Sequence, residues 1–157
     1  MASTFDPDSF GFLLTDVTRM IRAELDRRTA DAGFGLTPGE GRTLSHAFRA
    51  GGVRQNVLAE RMGVEAMTLS GSLDRLEARG LIERRPDLDD RRAKTVHLTP
   101  AGEAMLERIQ PIAAALRADA SSTIPAEQWH NFVDVLKTVR ANLAAMRADP
   151  CRKDGAA

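Results

Sequence analysis

The sequence predicts a mainly α-helical fold that carries one small β-hairpin, an α+β arrangement with its strands confined to a single short stretch. Three observations predict it. Apolar residues recur at steps of three and four through most of the chain, the period of a helix with one buried face. That period is lost only after Gly80, where two short runs rich in aliphatic and β-branched residues, Leu81 to Arg85 and Lys94 to Leu98, flank a polar loop. Glycines and threonine–proline pairs mark the boundaries: Gly33, Gly35 and Gly51-Gly52 close helices, whereas Thr37-Pro38 and Thr99-Pro100 open them.

The first helix is expected over residues 9–32. Phe10, Leu13, Leu14, Val17, Met20, Ile21 and Leu25 form its apolar stripe, with Asp8 or Ser9 as cap. The stripe is wider than one neighbouring helix needs, which points to burial against a second chain. Thr37-Pro38-Gly39-Glu40 opens the second helix with threonine at the cap, proline at the first helical position and glutamate three residues after the cap. Leu44, Ala47 and Phe48 are its expected inward side. A short helix follows, Gln55 to Met62, with Leu58 and Met62 turned inward. Ala59 and Gly63 are small enough to let the next helix cross closely after a tight turn.

That next helix, Glu65 to Arg79, places Ala66, Leu69, Leu73 and Leu76 on one face. Thr68, Gly71, Ser72, Arg75 and Arg79 are read as the opposite face. Short side chains there allow close approach to base edges, so the pair of helices is a helix-turn-helix candidate. In the hairpin, Val96 and Leu98 fall on one side of the second strand and Thr95 and His97 on the other, and Pro86 to Ala93 form an exposed tip. A hairpin directly after a helix-turn-helix is a wing. Arg84, Arg85, Arg91, Arg92 and Lys94 gather positive charge in it; Asp87, Asp89 and Asp90 nearly cancel that charge unless one aspartate stiffens the loop by pairing with an arginine. The helix from Thr99-Pro100 runs through Ala104, Leu106, Ile109, Ile112 and Leu116, with Pro111 a candidate bend. After the break Ser121 to Pro125, Trp129, Phe132, Val135, Leu136, Val139, Leu143 and Met146 define the last helix, and the tail from Asp149 is expected to fray. The result is a winged helix-turn-helix over residues 36–99 in one 157-residue domain, bracketed by dimerisation helices over 9–32 and 100–148.

Composition constrains the partners. Hydrophobic content of 43% and charged content of 28% are ordinary for a globular chain. Basic and acidic residues number 22 each, so binding to nucleic acid requires positive charge arranged locally. Met1 to Phe10 lack the basic and apolar segments of a secretory signal, and no apolar stretch approaches membrane-spanning length. With the single Cys151 unable to form an internal disulfide, a cytoplasmic protein with no membrane partner is expected.

Leu58-Ala59-Glu60, the run Asp74 to Asp87, Asp90-Arg91-Arg92-Ala93-Lys94 and Leu98-Thr99-Pro100-Ala101-Gly102 resemble the MarR family of bacterial transcriptional regulators, closest to its SlyA-like branch. The resemblance implies a homodimer joined by its terminal helices on a palindromic double-stranded DNA operator, acting as a repressor. It places Thr68, Ser70, Ser72 and Arg75 toward bases or phosphates, and Gln55 and Asn56 on phosphates. Arg92, oriented by Asp90 and flanked by Arg85 and Arg91, enters the minor groove. Gly71 stands where SlyA-like relatives often carry a base-reading arginine, which shifts the expected readout to Thr68, Ser72, Arg75 and DNA shape. The resemblance also implies a small aromatic or phenolic effector near Asp16, Arg19, Gly41 and Ser45.

Other classes fit less well. No nucleotide-binding glycine loop, metal-binding pair or nucleophile motif points to an enzyme or a cofactor. His46, His97 and His130 lie in three different elements without metal-ligand spacing, and Cys151 sits in the tail without a partner to activate it. The rival class is a winged helix that binds protein rather than DNA, suggested by the zero net charge.

Overall fold

Capping and turn residues set the element boundaries in the computed structural model, which describes residues 6, 8–90 and 92–148. Arg91, and the tail from Asp149 that contains Cys151 and was expected to fray, lie outside the described residues. Helix α1 spans Phe10–Asp31; Ser9 occupies its cap position with extended backbone, without a side-chain capping bond. Helix α2, Pro38–Ala50, begins on a full capping box: Thr37 Oγ1 accepts the Glu40 N–H at 3.3 Å and Glu40 Oε2 accepts the Thr37 N–H at 3.0 Å. Gly51 closes it in the left-handed conformation.

A two-residue strand that the sequence did not reveal, β1 (Val53–Arg54), precedes α3 (Gln55–Met62) and α4 (Ala66–Ala78). The hairpin is β2 (Ile82–Pro86) and β3 (Lys94–Leu98), paired antiparallel from Ile82↔Leu98 to Pro86↔Lys94. β1 adds to the free edge of β3 through Val53↔Val96 and Arg54↔Thr95, giving a three-stranded sheet in the order β1-β3-β2. Helices α5 (Pro100–Ala120) and α6 (Ala126–Ala148) complete the chain, with Pro111 inside α5.

The described residues fall into two compact units that divide after Leu116. In the first, Leu44, Leu58, Leu69, Leu73, Leu76, Ile82 and Val96 are fully buried and bring α2, α3, α4 and the sheet around one core. Two inward assignments are corrected. Phe48 is 61% exposed, because the seam of α2 runs through Glu40, Thr43, Leu44 and Ala47. Ala66 is exposed because the buried stripe of α4 begins at Leu69.

The start of α5 is joined to the wing through its threonine. Thr99 Oγ1 donates to the Gly80 carbonyl at 2.6 Å and accepts the Gly102 N–H at 3.1 Å, and the Thr99 N–H donates to the Leu81 carbonyl. Gly102 is a glycine for lack of room: a Cβ there would stand 2.0 Å from the Leu81 carbonyl oxygen. The second unit consists of the end of α5 and α6, where the Trp129 and Phe132 rings pack at 5.5 Å.

Candidate nucleic-acid interface

The core stripe of α4 determines what the helix leaves outside. With Leu69, Leu73 and Leu76 buried, Met67, Thr68, Asp74, Arg75 and Arg79 are exposed, and Ser70 and Gly71 are partly exposed. Ser72 corrects the face read from the sequence. It is 7% exposed and its hydroxyl donates to the Thr68 carbonyl of the preceding turn, because positions 69, 72, 73 and 76 share the helical stripe that meets the core.

The arginines of this helix turn back into the protein. Arg75 Nε donates to Glu40 Oε1 at 2.7 Å, and Arg79 Nη1 donates to the Gly35 carbonyl at 2.7 Å while lying 3.7 Å from the same Glu40. Glu40 is 3% exposed. Burial alone would raise its pKa, but the Thr37 N–H, the Arg75 guanidinium and the charge of Arg79 together outweigh burial and hold the carboxyl below its ordinary range. The capping residue of α2 is thus also the anchor of α4. The position of Gly71 has a physical consequence here: the Arg75 guanidinium lies beside it, with Nη1 3.6 Å from where a Cβ would be.

Arg84, counted from the sequence with the outward charge of the wing, is instead an internal clamp. Its guanidinium donates to Asp74 Oδ1 at 2.7 Å and Glu77 Oε2 at 2.8 Å, and its N–H to Glu77 Oε1, which joins β2 to α4. The loop is stiffened by an aspartate, as anticipated, but through an arginine from elsewhere. Asp87 accepts both Arg54 Nε at 2.9 Å and Nη2 at 2.7 Å, and also the N–H groups of Asp89 and Asp90. The Arg54 guanidinium, opposed by burial and helped by those two N–H groups, holds Asp87 far below the usual carboxylate range. Asp90 accepts the backbone N–H of Arg92 at 3.0 Å, so it shapes the turn beneath Arg92 through the main chain. Arg92 is exposed, and Arg85 pairs with Glu83. Gln55 and Asn56 occupy the first turn of α3, whose cap residue Arg54 leaves the leading N–H groups without a side-chain cap.

The four residues read as an effector site do not converge. Gly41 and Ser45 line a cavity of about 200 Å³ between α1, α2 and α5, together with Arg22, Asp26, Arg42 and His46. Burial first, then the charges of Arg49, Arg22 and Arg42, pushes the His46 pKa down and favours the neutral ring. Arg42 is paired with Asp26 at 2.9 Å. Arg19 lies nearer the start of α1, beside a shallow hollow with Leu14, Thr15 and Thr18, and is paired with Asp16, also exposed, at 3.1 Å. Among the described residues no group of three His, Cys, Asp or Glu side chains could hold a metal ion, and no helix is long and apolar enough to cross a membrane.

Sequence reasoning passed over Met67 and Arg54, and did not single out Asp87 among the three aspartates of the loop or give Glu40 a role beyond its cap. The capping-box spacing made Glu40 visible as a cap, and nothing local indicated its partners 35 and 39 residues on. A helix-turn-helix whose second helix is locked through its C-terminal half, to α2 by Arg75 and to a β-wing by Asp74 and Glu77, is a winged helix-turn-helix. The sequence pattern of the MarR family matches residues 36–94. The chain is 37% identical to the solved transcriptional regulator PA3341, over 87% of this chain and 99% of that one, with a TM-score of 0.71. It is 30% identical to a probable transcriptional regulator from Pseudomonas aeruginosa, over 84% of this chain and 97% of that one, with a TM-score of 0.63. A MarR-family transcriptional regulator from Rhodococcus sp. RHA1 is 28% identical over 87% and 96%, with a TM-score of 0.73. The chain belongs to the MarR family.

Proposed function

We propose that this protein is a DNA-binding transcriptional repressor of the SlyA-like branch that grips a palindromic operator as a homodimer. The observation that carries the reading is the mounting of α4. Glu40 and Arg84 fix the helix from both sides, while Thr68, Ser70 and Gly71 on its outward surface are short enough to let the backbone approach a groove. Thr68 and Ser70 then face base edges, Arg75 a phosphate, and the α3 start with Gln55 and Asn56 a second phosphate through its open N–H groups. Arg92 on its stiffened loop reaches the minor groove.

Dimerisation rests on the apolar surface the chain leaves uncovered. Phe10, Leu13, Val17, Met20 and Ile21 of α1 are exposed, as are Phe132, Val135, Leu143 and Met146 of α6. Faces of this extent on two helices suit burial against a second copy. The cavity at Gly41 and Ser45 is the effector site in this reading. Its volume lies below the range of drug-sized pockets and suits a single-ring ligand, and Arg22 and Arg42 suit an aromatic carboxylate or phenolate.

A gel-shift titration against the protein's own upstream promoter region tests the reading. A dimer that neutralises about six phosphates should lose about a thousandfold in affinity between about 50 and about 200 mM salt. No retarded complex, or one insensitive to salt, would favour a protein-binding module, the reading to which the zero net charge and the internally paired arginines lend support.

A further inference from the structure

We infer that Met67 is a specificity-determining residue, reading thymine in the operator through its C5 methyl group. The inference rests on the DNA-binding reading above and concerns what α4 recognises. Met67 is the second residue of α4, on the turn that a helix-turn-helix directs at base edges. The residue is 86% exposed, more than any other large apolar residue on a helix among the described residues. The core does not need it, since Leu69, Leu73 and Leu76 point the other way.

The chemistry around it narrows the choice of base feature. A guanine-reading helix needs an arginine free to fork onto O6 and N7. Here Arg75 gives its Nε to Glu40, Arg79 donates to the Gly35 and Phe34 carbonyls, and Arg84 is spread over Asp74 and Glu77. The same pairing occupies Asp74, the exposed acidic side chain within α4 that could accept from cytosine; Glu65 stands before the helix, at its cap. Ala66, Thr68, Ser70 and Gly71 are all short, so nothing longer stands between Met67 and a groove floor. What remains is a flexible, apolar side chain flanked by hydroxyls. The one apolar feature in the major groove is the thymine methyl, and an unbranched thioether can follow its position with little steric demand.

The test uses the operator fragment retarded in the titration above, synthesised once with thymine and once with deoxyuridine throughout, so that only the methyl groups differ. Burying one methyl corresponds to about a fourfold change in affinity, and two half-sites to about fifteenfold. The wild-type dimer is expected to bind the uracil fragment about fifteenfold more weakly. Met67→Ala is expected to bind the thymine fragment with a comparable loss and to show little further loss on uracil, with thermal stability unchanged because the side chain is exposed. Met67→Leu, which keeps an apolar end, should retain the discrimination. Equal losses for wild type and Met67→Ala on removing the methyls, or wild-type affinity of Met67→Ala for the thymine fragment, would overturn the inference while leaving the regulator reading intact. A wild-type protein that retards no fragment sinks both.

Discussion

Gly102→Ala is the substitution on which local propensity and tertiary structure disagree in sign. In a helix free of neighbours, alanine is favoured over glycine by up to about 1 kcal/mol. In this protein the new Cβ would stand 2.0 Å from the Leu81 carbonyl oxygen and 3.0 Å from its carbon, both backbone atoms that cannot rotate away. Relief requires the first turn of α5 to retreat by about an ångström, which strains the bond from Thr99 N–H to the Leu81 carbonyl and that from Thr99 Oγ1 to Gly80. Overpacking costs about 1–3 kcal/mol. The two hydrogen bonds add about 1 kcal/mol each. Set against the propensity gain, the net loss should be about 3 kcal/mol, or a fall in Tm of about 6–12 °C for a chain of this size. Urea denaturation at fixed protein concentration, with the thermal melt beside it, reads this directly. A variant as stable as the wild type, or more so, would refute the account of why the Leu98 to Gly102 motif ends in glycine.

Glu40→Gln should cost about 2 kcal/mol at neutral pH by removing the charge that Arg75 and Arg79 share. Because the folded-state pKa of Glu40 is lowered, its contribution is whole above the ordinary carboxylate range and fades as pH falls through that range toward the lowered value. The stability difference between wild type and variant, measured by urea titration, should therefore shrink on acidification from neutral pH to about pH 4. Asp87→Asn should loosen the wing by weakening its grip on Arg54, and Arg92→Ala should remove a groove contact. Both are expected to weaken operator binding several-fold in gel shifts; the melting temperature should be little changed in Arg92→Ala and lower in Asp87→Asn, which gives up a paired carboxylate. Met20→Asp places a charge on the uncovered stripe of α1, and sedimentation should show a species of half the wild-type mass.

Wherever the determinant was local, the sequence was legible. The Thr37–Glu40 box set the start of α2, and the change of period after Gly80 located the hairpin. Leu69, Leu73 and Leu76 announced the buried stripe of α4, since side-chain direction on a helix follows from spacing alone. The reading failed where polar residues belong to a buried seam. Ser72 was placed outward with the other hydroxyls, although its position lies on that stripe; Phe48 was placed inward with Leu44, four residues before it, whereas the polar Glu40 and Thr43 turn the seam of α2 the other way. β1 was invisible because two residues carry no alternation; they become a strand only because β3 offers an open edge.

The candidate site was legible as an inventory of residues, much less as an arrangement. The sequence by itself determined which helix would be mounted outward and that its middle would hold Gly71 in place of a long side chain. Only the tertiary structure decided which charges remained available. Glu40 meets Arg75, Arg84 meets Asp74, and Arg54 meets Asp87 because helices and strands cross at those points. A charge is neutralised by whatever lies within a few ångströms of it, at any separation along the chain. A count of arginines could therefore not show that those of α4 serve to hold the helix, or that Met67 is left standing at its outward face.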